Sequence, residues 1–163
     1  MSYKNMVCLW SILKYEDYLN NYNLILDSIL TFKDKLNTYS NMELVSFNKE
    51  EIEDMIKAYV LSKRVIGFKN KSGDLVGICA YNIGSPWYNP KMKVMEELFT
   101  LSFARGANLV HSVAGALSYL ARGNKCKLVL MANGSPINSK LYDNAMKKIE
   151  CNWNSYKTYY KVI

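Results

Sequence analysis

The sequence predicts a single α/β domain, a sheet flanked by helices, with a helical segment at the N-terminus. Three observations carry this. Residues 64–83 form two apolar runs around Lys71-Ser72-Gly73-Asp74, the pattern of an antiparallel hairpin. Just before it, Asn48 precedes acids and the stripe Ile52, Met55, Ile56, Tyr59 and Val60, the pattern of a capped amphipathic helix. After the hairpin, strand-like and helix-like segments alternate to the end of the chain. At 163 residues, half of them hydrophobic, the chain is long enough for one core without staples.

The remaining elements are read in order. Residues 15–37 place Leu19, Tyr22, Leu24, Ile25, Ile29, Phe32 and Leu36 at helical spacing, and Met42 to Phe47 reads as a strand. The loop "GSPWYNPKMK" holds two of the three prolines. In it Trp87 and Tyr88 are either a substrate wall or a turn packed by its own side chains. Next come a strand over 94–103, a helix from about Asn108 to Ala121, a short strand over 127–132, a helix from about Asn138 to Ile149 and a terminal strand, "YKTYYKVI". The central helix carries Leu109, Val113, Leu117 and Leu120 on one face, with Ala114, Gly115 and Ser118 beside them to let it lie close to a sheet.

Composition narrows the chemistry. No apolar run approaches the roughly 20 residues of a membrane span, and the N-terminal apolar patch is too short for a signal peptide, so no membrane partner is expected and the expected location is cytoplasmic. Cys8, Cys79, Cys126 and Cys151 are scattered and His111 is the only histidine, which argues against zinc and for cysteines acting as small hydrophobes. His111 near the helix start reads as a surface or capping residue rather than a base. The net charge of +7 is spread along the chain, and nucleic acid is not the expected primary partner.

The stretch "EELFTLSFARGANLV" runs from a strand into a helix, with Arg105-Gly106 at the joint. Such a joint gathers backbone N–H groups and is suited to an anion.

"EELFTLSFARG" resembles the start of the cofactor motif of the GNAT superfamily of N-acetyltransferases, where a strand of the type E-x-L-Y-V-x-P-x-Y-R-G leads into the acetyl-CoA loop. Glu97, Leu98, Phe99, Leu101, Arg105 and Gly106 fall in register. "LYDNAMKKI" resembles the family's helix with a tyrosine general acid, and "YYKVI" its closing strand. The resemblance implies a mixed, mostly antiparallel sheet of about six to seven strands flanked by helices, and divides the chain into an N-terminal helical segment, 1–41, and a GNAT-like core, 42–163. It implies acetyl-CoA as cofactor, held along Phe99, Thr100, Leu101, Arg105, Gly106, Ala107, Asn108, Leu109 and Val110. The family's loop reads R-x-x-G-x-G, and here both later glycines are replaced, by Asn108 and Val110. The implied acid is Tyr142, although sliding the match by one turn puts Met146 there. The implied base is Glu96 or Glu97, of which alternation lets only one reach the substrate cleft.

Two functions follow from the resemblance. One is acetyl transfer to an amine, a small molecule or a protein. The other is a catalytically inactive GNAT-fold structural or binding protein with other protein subunits as partners, similar to the acetyltransferase-like proteins of tailed phages and placed in the host cytoplasm or the virion. In the family's own layout Met6 to Leu13 would supply the first strand; otherwise residues 1–40 form an arm for docking.

Overall fold

The computed structural model describes residues 8–40, 48–103, 109–131 and 144–148. Within them the order is β1 (Leu9–Ile12), α1 (Tyr15–Asn20), α2 (Tyr22–Ser40), α3 (Lys49–Leu61), β2 (Val65–Lys69), β3 (Leu75–Gly84), β4 (Val94–Ser102), α4 (Val110–Gly123) and β5 (Leu128–Leu130). The five strands lie in chain order in one sheet. The first three pairings are antiparallel, and β4 with β5 is parallel. The expected strands over 42–47 and 156–163 and most of the helix over 138–149 lie outside the described residues, so five strands are seen where six to seven were expected.

Local chemistry explains the best-defined elements. The Asn48 side chain accepts the Glu50 N–H at 3.1 Å and so caps α3, with Glu50 and Glu51 favoured in its first turn by the helix dipole. The β2–β3 turn closes on Asn70, whose side chain accepts the Asp74 N–H at 2.9 Å, while Gly73 takes the positive φ of 90° that the turn needs. α1 and α2 divide the helical stretch at Asn21, whose N–H and side chain both bond back to the Asp17 carbonyl.

A core lies on each face of the sheet. On one, α4 lays Leu109, Val113, Ala116, Leu117 and Ala121 over Ile66, Phe68, Cys79, Tyr81 and Met95. On the other, Tyr18, Ile25 and Ile29 of α1 and α2 join Ile56 and Val60 of α3 over Val65, Ile78 and Ala80, with Leu13 and Leu75. β1 adds an antiparallel edge, Leu9 opposite Lys69 through Ile12 opposite Ile66. Residues 8–29 thus supply both a strand and buried side chains to the sheet.

The apolar stripes are narrower than their periodicity suggests. Leu19, Leu24, Phe32 and Met55 are exposed, because a single sheet face accepts only about a 100° arc of each helix. Gly115 also differs from expectation: it is exposed with nothing near its missing side chain, and Ala116 makes the close contact instead. No described helix is long and apolar enough to cross a membrane.

Candidate active site

β4 is the strand on which the site is built. It pairs with β5 over three positions only, Val94 with Leu128, Met95 with Val129 and Glu96 with Leu130. On its other side it pairs with β3 as far as Ser102 opposite Gly77. Among the described residues, β4 from Glu97 onward therefore has a ladder on one side alone. Phe103 donates its N–H to the Val76 carbonyl at 2.9 Å. By alternation, the N–H and C=O of Thr100 turn away from β3, toward the side where β5 has stopped.

A bulge then sets the side chains. Ala80 opposes Phe99, but Tyr81 opposes Glu97, so Leu98 is the extra residue and stands exposed. Glu97 and Thr100, three apart, consequently share the α4 face, and the Thr100 hydroxyl donates to the Glu97 carboxylate at 2.5 Å. Glu97 is buried, whereas Glu96 is exposed on the α1–α3 face opposite Asn82. Phe99 and Leu101 are half-buried against the α1–α3 core. Beside Thr100 on the neighbouring strand lies Cys79, fully buried. Burial, and after it the Glu97 carboxylate, push its thiol up from 9.0 to about 12, against a smaller opposite pull from Thr100.

The N-terminus of α4 lies at the far end of β4. Leu109, its cap residue, is buried with its side chain over Gly77, where an added Cβ would overlap Leu109 Cδ1 and meet the Leu101 carbonyl oxygen at 2.7 Å. Gly77 is thus required by close approach, and it brings the first turn of α4, Val110 included, down onto the sheet beside the end of β4. Leu109 itself makes no side-chain cap hydrogen bond. His111 is exposed.

Arg105, Gly106, Ala107, Asn108 and Tyr142 lie outside the described residues, so of the expected site residues the structure places Glu96, Glu97, Phe99, Thr100, Leu101, Leu109 and Val110. It brings Glu97 and Thr100 into contact and puts Glu96 on the opposite face. Gly77 was not singled out from sequence, and Cys79 was read there only as a small hydrophobe, which its burial bears out. The polar pair Glu97 and Thr100 at i, i+3 is the one trace of the bulge that the sequence carries. Among the described residues, no group of three or more His, Cys, Asp or Glu is placed to hold a metal.

The fold as a whole superposes on known structures. A GNAT family acetyltransferase from Staphylococcus aureus superposes with a TM-score of 0.61 over 96% of this chain and 98% of its own, at 8% identity. The chain has the GNAT fold. Glucosamine-6-phosphate N-acetyltransferase from Arabidopsis thaliana has TM-score 0.55 and 12% identity over 95% of this chain and 99% of its own. Ribosomal-protein-alanine N-acetyltransferase from Brucella melitensis has TM-score 0.57 and 10% identity over 95% of this chain and 100% of its own. At such identities the likeness is one of fold. No protein-family model and no curated protein sequence matches the chain. Among the described residues, the stretch of β4 from Glu97 to Ser102 that lies beyond its pairing with β5, here called the gap, is the candidate active site.

Proposed function

We propose that the chain is an acetyl-CoA-dependent N-acetyltransferase that moves an acetyl group to an amine. The observation that carries this reading is the gap itself: among the described residues, β4 runs on from Glu97 to Ser102 after its pairing with β5 ends at Glu96 and Leu130, and its far end lies by Leu109 at the N-terminus of α4. An open strand edge fits the amide-bearing arm of acetyl-CoA, and an adjacent helix start fits its phosphates. Bound there, acetyl-CoA supplies a thioester carbonyl open to attack by an amine.

The residues divide the remaining work. The Thr100 N–H, turned into the gap, donates to a carbonyl oxygen as negative charge gathers on it. Glu97, held by the Thr100 hydroxyl, takes the proton that an amine must lose at neutral pH, directly or through a water. Tyr142 is assigned the proton for the leaving sulfur, and Arg105, Gly106 and the backbone from Ala107 to Val110 the phosphates, on the resemblance alone. The acceptor is an amine on a small molecule or a protein.

A second reading, a catalytically inactive GNAT-fold binding or structural protein, is favoured by one feature: Asn108 and Val110 stand where the family's loop has glycines. Thermal unfolding with acetyl-CoA separates the two. A rise in melting temperature at millimolar acetyl-CoA, saturating with concentration, is the expected result. No shift in a folded protein removes the enzyme reading.

A further inference from the structure

The end of the molecule away from the gap carries an aromatic and basic surface that acetyl transfer does not use. In the β3–β4 loop Trp87 is 91% exposed and Tyr88 66%. Their rings meet edge to face at 5.7 Å and 87°. An indole exposed to that degree presents an open π-face to solvent. The loop is not slack: Asn89 N–H donates to the Pro86 carbonyl and Met92 N–H to the Asn89 carbonyl, each at 3.0 Å, so two turns share Asn89 between two prolines.

Basic charge collects at the same end. The Lys127 N–H donates to the Lys93 carbonyl at 2.8 Å and ties this loop to the turn that leaves α4. Lys91, Lys93, Arg122, Lys125 and Lys127 are all exposed, and residues 84–95 and 122–131 contain no Asp or Glu. Among the described residues none of the five is in an ion pair.

We propose that residues 85–93 and 122–127 form a docking surface for single-stranded nucleic acid. The five cations meet backbone phosphates, and Trp87 and Tyr88 stack on unpaired bases, a combination that binds strands with little regard to sequence. An acidic peptide uses the cations but leaves the indole without a partner. A lipid surface calls for aliphatic side chains to insert beside the aromatics, and this loop surrounds them with Ser85, Asn89 and two prolines. A duplex hides the base faces that the rings require. The surface is independent of the acetyltransferase reading, since it lies at the start of β4 and the end of α4 while the gap lies at the opposite ends.

The test uses the full chain and fluorescence anisotropy with a labelled 20-nucleotide oligouridylate, a duplex of equal length, and vesicles of phosphatidylcholine and phosphatidylserine. Binding to oligouridylate above duplex and vesicles is expected, weakening with salt by a log–log slope of about −0.7 for each phosphate neutralised. Trp87→Ala is expected to weaken it on the order of tenfold, and Lys91→Ala with Lys93→Ala to reduce the slope by about 1.4. Because Trp87 is exposed, its replacement leaves the melting temperature unchanged; Tyr88→Ala gives a second, independent variant. No binding to oligouridylate overturns the proposal. So does equal binding by both aromatic variants, which marks a charge contact alone, or preference for the vesicles, which marks a membrane contact.

Discussion

Thr100 donates its hydroxyl to the carboxylate of Glu97 at 2.5 Å from three residues further along the same strand. Regular alternation sends residues three apart to opposite faces, so the contact exists only because Leu98 is bulged out of the ladder with β3. Removing the hydroxyl takes a hydrogen bond from a buried charged group. Thr100→Val is expected to cost about 1–3 kcal/mol in urea unfolding, with Thr100→Ser close to the parent. Equal stability of the valine and serine variants would show that the bond contributes nothing net.

Alternation puts the two glutamates on opposite faces, and the bulge brings Thr100 to the face of Glu97. If Glu97 takes the proton of the amine, Glu97→Gln lowers acetyl transfer on the order of 10²-fold with acetyl-CoA binding retained, while Glu96→Gln, on the exposed opposite face, stays near the parent rate. The reverse pattern would transfer the role to Glu96.

Gly77 tests how closely α4 must approach. An added methyl that overlaps Leu109 Cδ1 and lies 2.7 Å from the Leu101 carbonyl oxygen cannot be accommodated in place. Gly77→Ala is expected to destabilise by about 1–3 kcal/mol. Leu109→Ala added to it should recover little, since the carbonyl contact is backbone and remains. Full recovery would place the strain in the leucine side chain alone.

Cys79 predicts an alkaline limb. Its thiol stays protonated in the folded chain to about 12, whereas the unfolded thiol ionises near 9.0, so the unfolded state releases its proton first as pH rises. The stability from this group is complete below pH 9 and is lost between about 9 and 12, by up to about 1.4 kcal/mol per pH unit. Tyrosines titrate there as well, so the measurement is a difference: Cys79→Ala should flatten the fall of unfolding free energy with pH relative to the parent. Parallel curves would refute the shift.

The N-terminal residues should be inseparable from the sheet. Tyr18, Ile25 and Ile29 are buried with Ile56, Val60, Val65 and Ile78, and Ile25 is 1% exposed. Ile25→Ala is expected to cost about 2–5 kcal/mol. Removing residues 1–41 strips α1 and α2 from that face, leaves α3 alone among these helices to cover it and deletes β1, and the shortened chain is expected to be insoluble. A soluble, monomeric core in sedimentation would contradict this.

Much of the fold was legible from local chemistry. The cap at Asn48, the Gly73 turn and the strand running into α4 are each decided by a few consecutive residues, where a side chain satisfies nearby backbone or a glycine allows the needed φ. The resemblance along Glu97 to Gly106 was readable for the same reason, as a short run on one strand and its exit. What local sequence could not decide was the face each residue would take. Leu24, Met55 and Gly115 match helical periodicity yet point to solvent, since the width of the buried arc is set by the sheet beneath and not by the helix. Alternation allowed either Glu96 or Glu97 to reach the site. The register of β3 against β4, with its one extra residue at Leu98, put Glu97 beside Thr100 and Cys79, because a register shift is a property of two strands together and is written in neither alone.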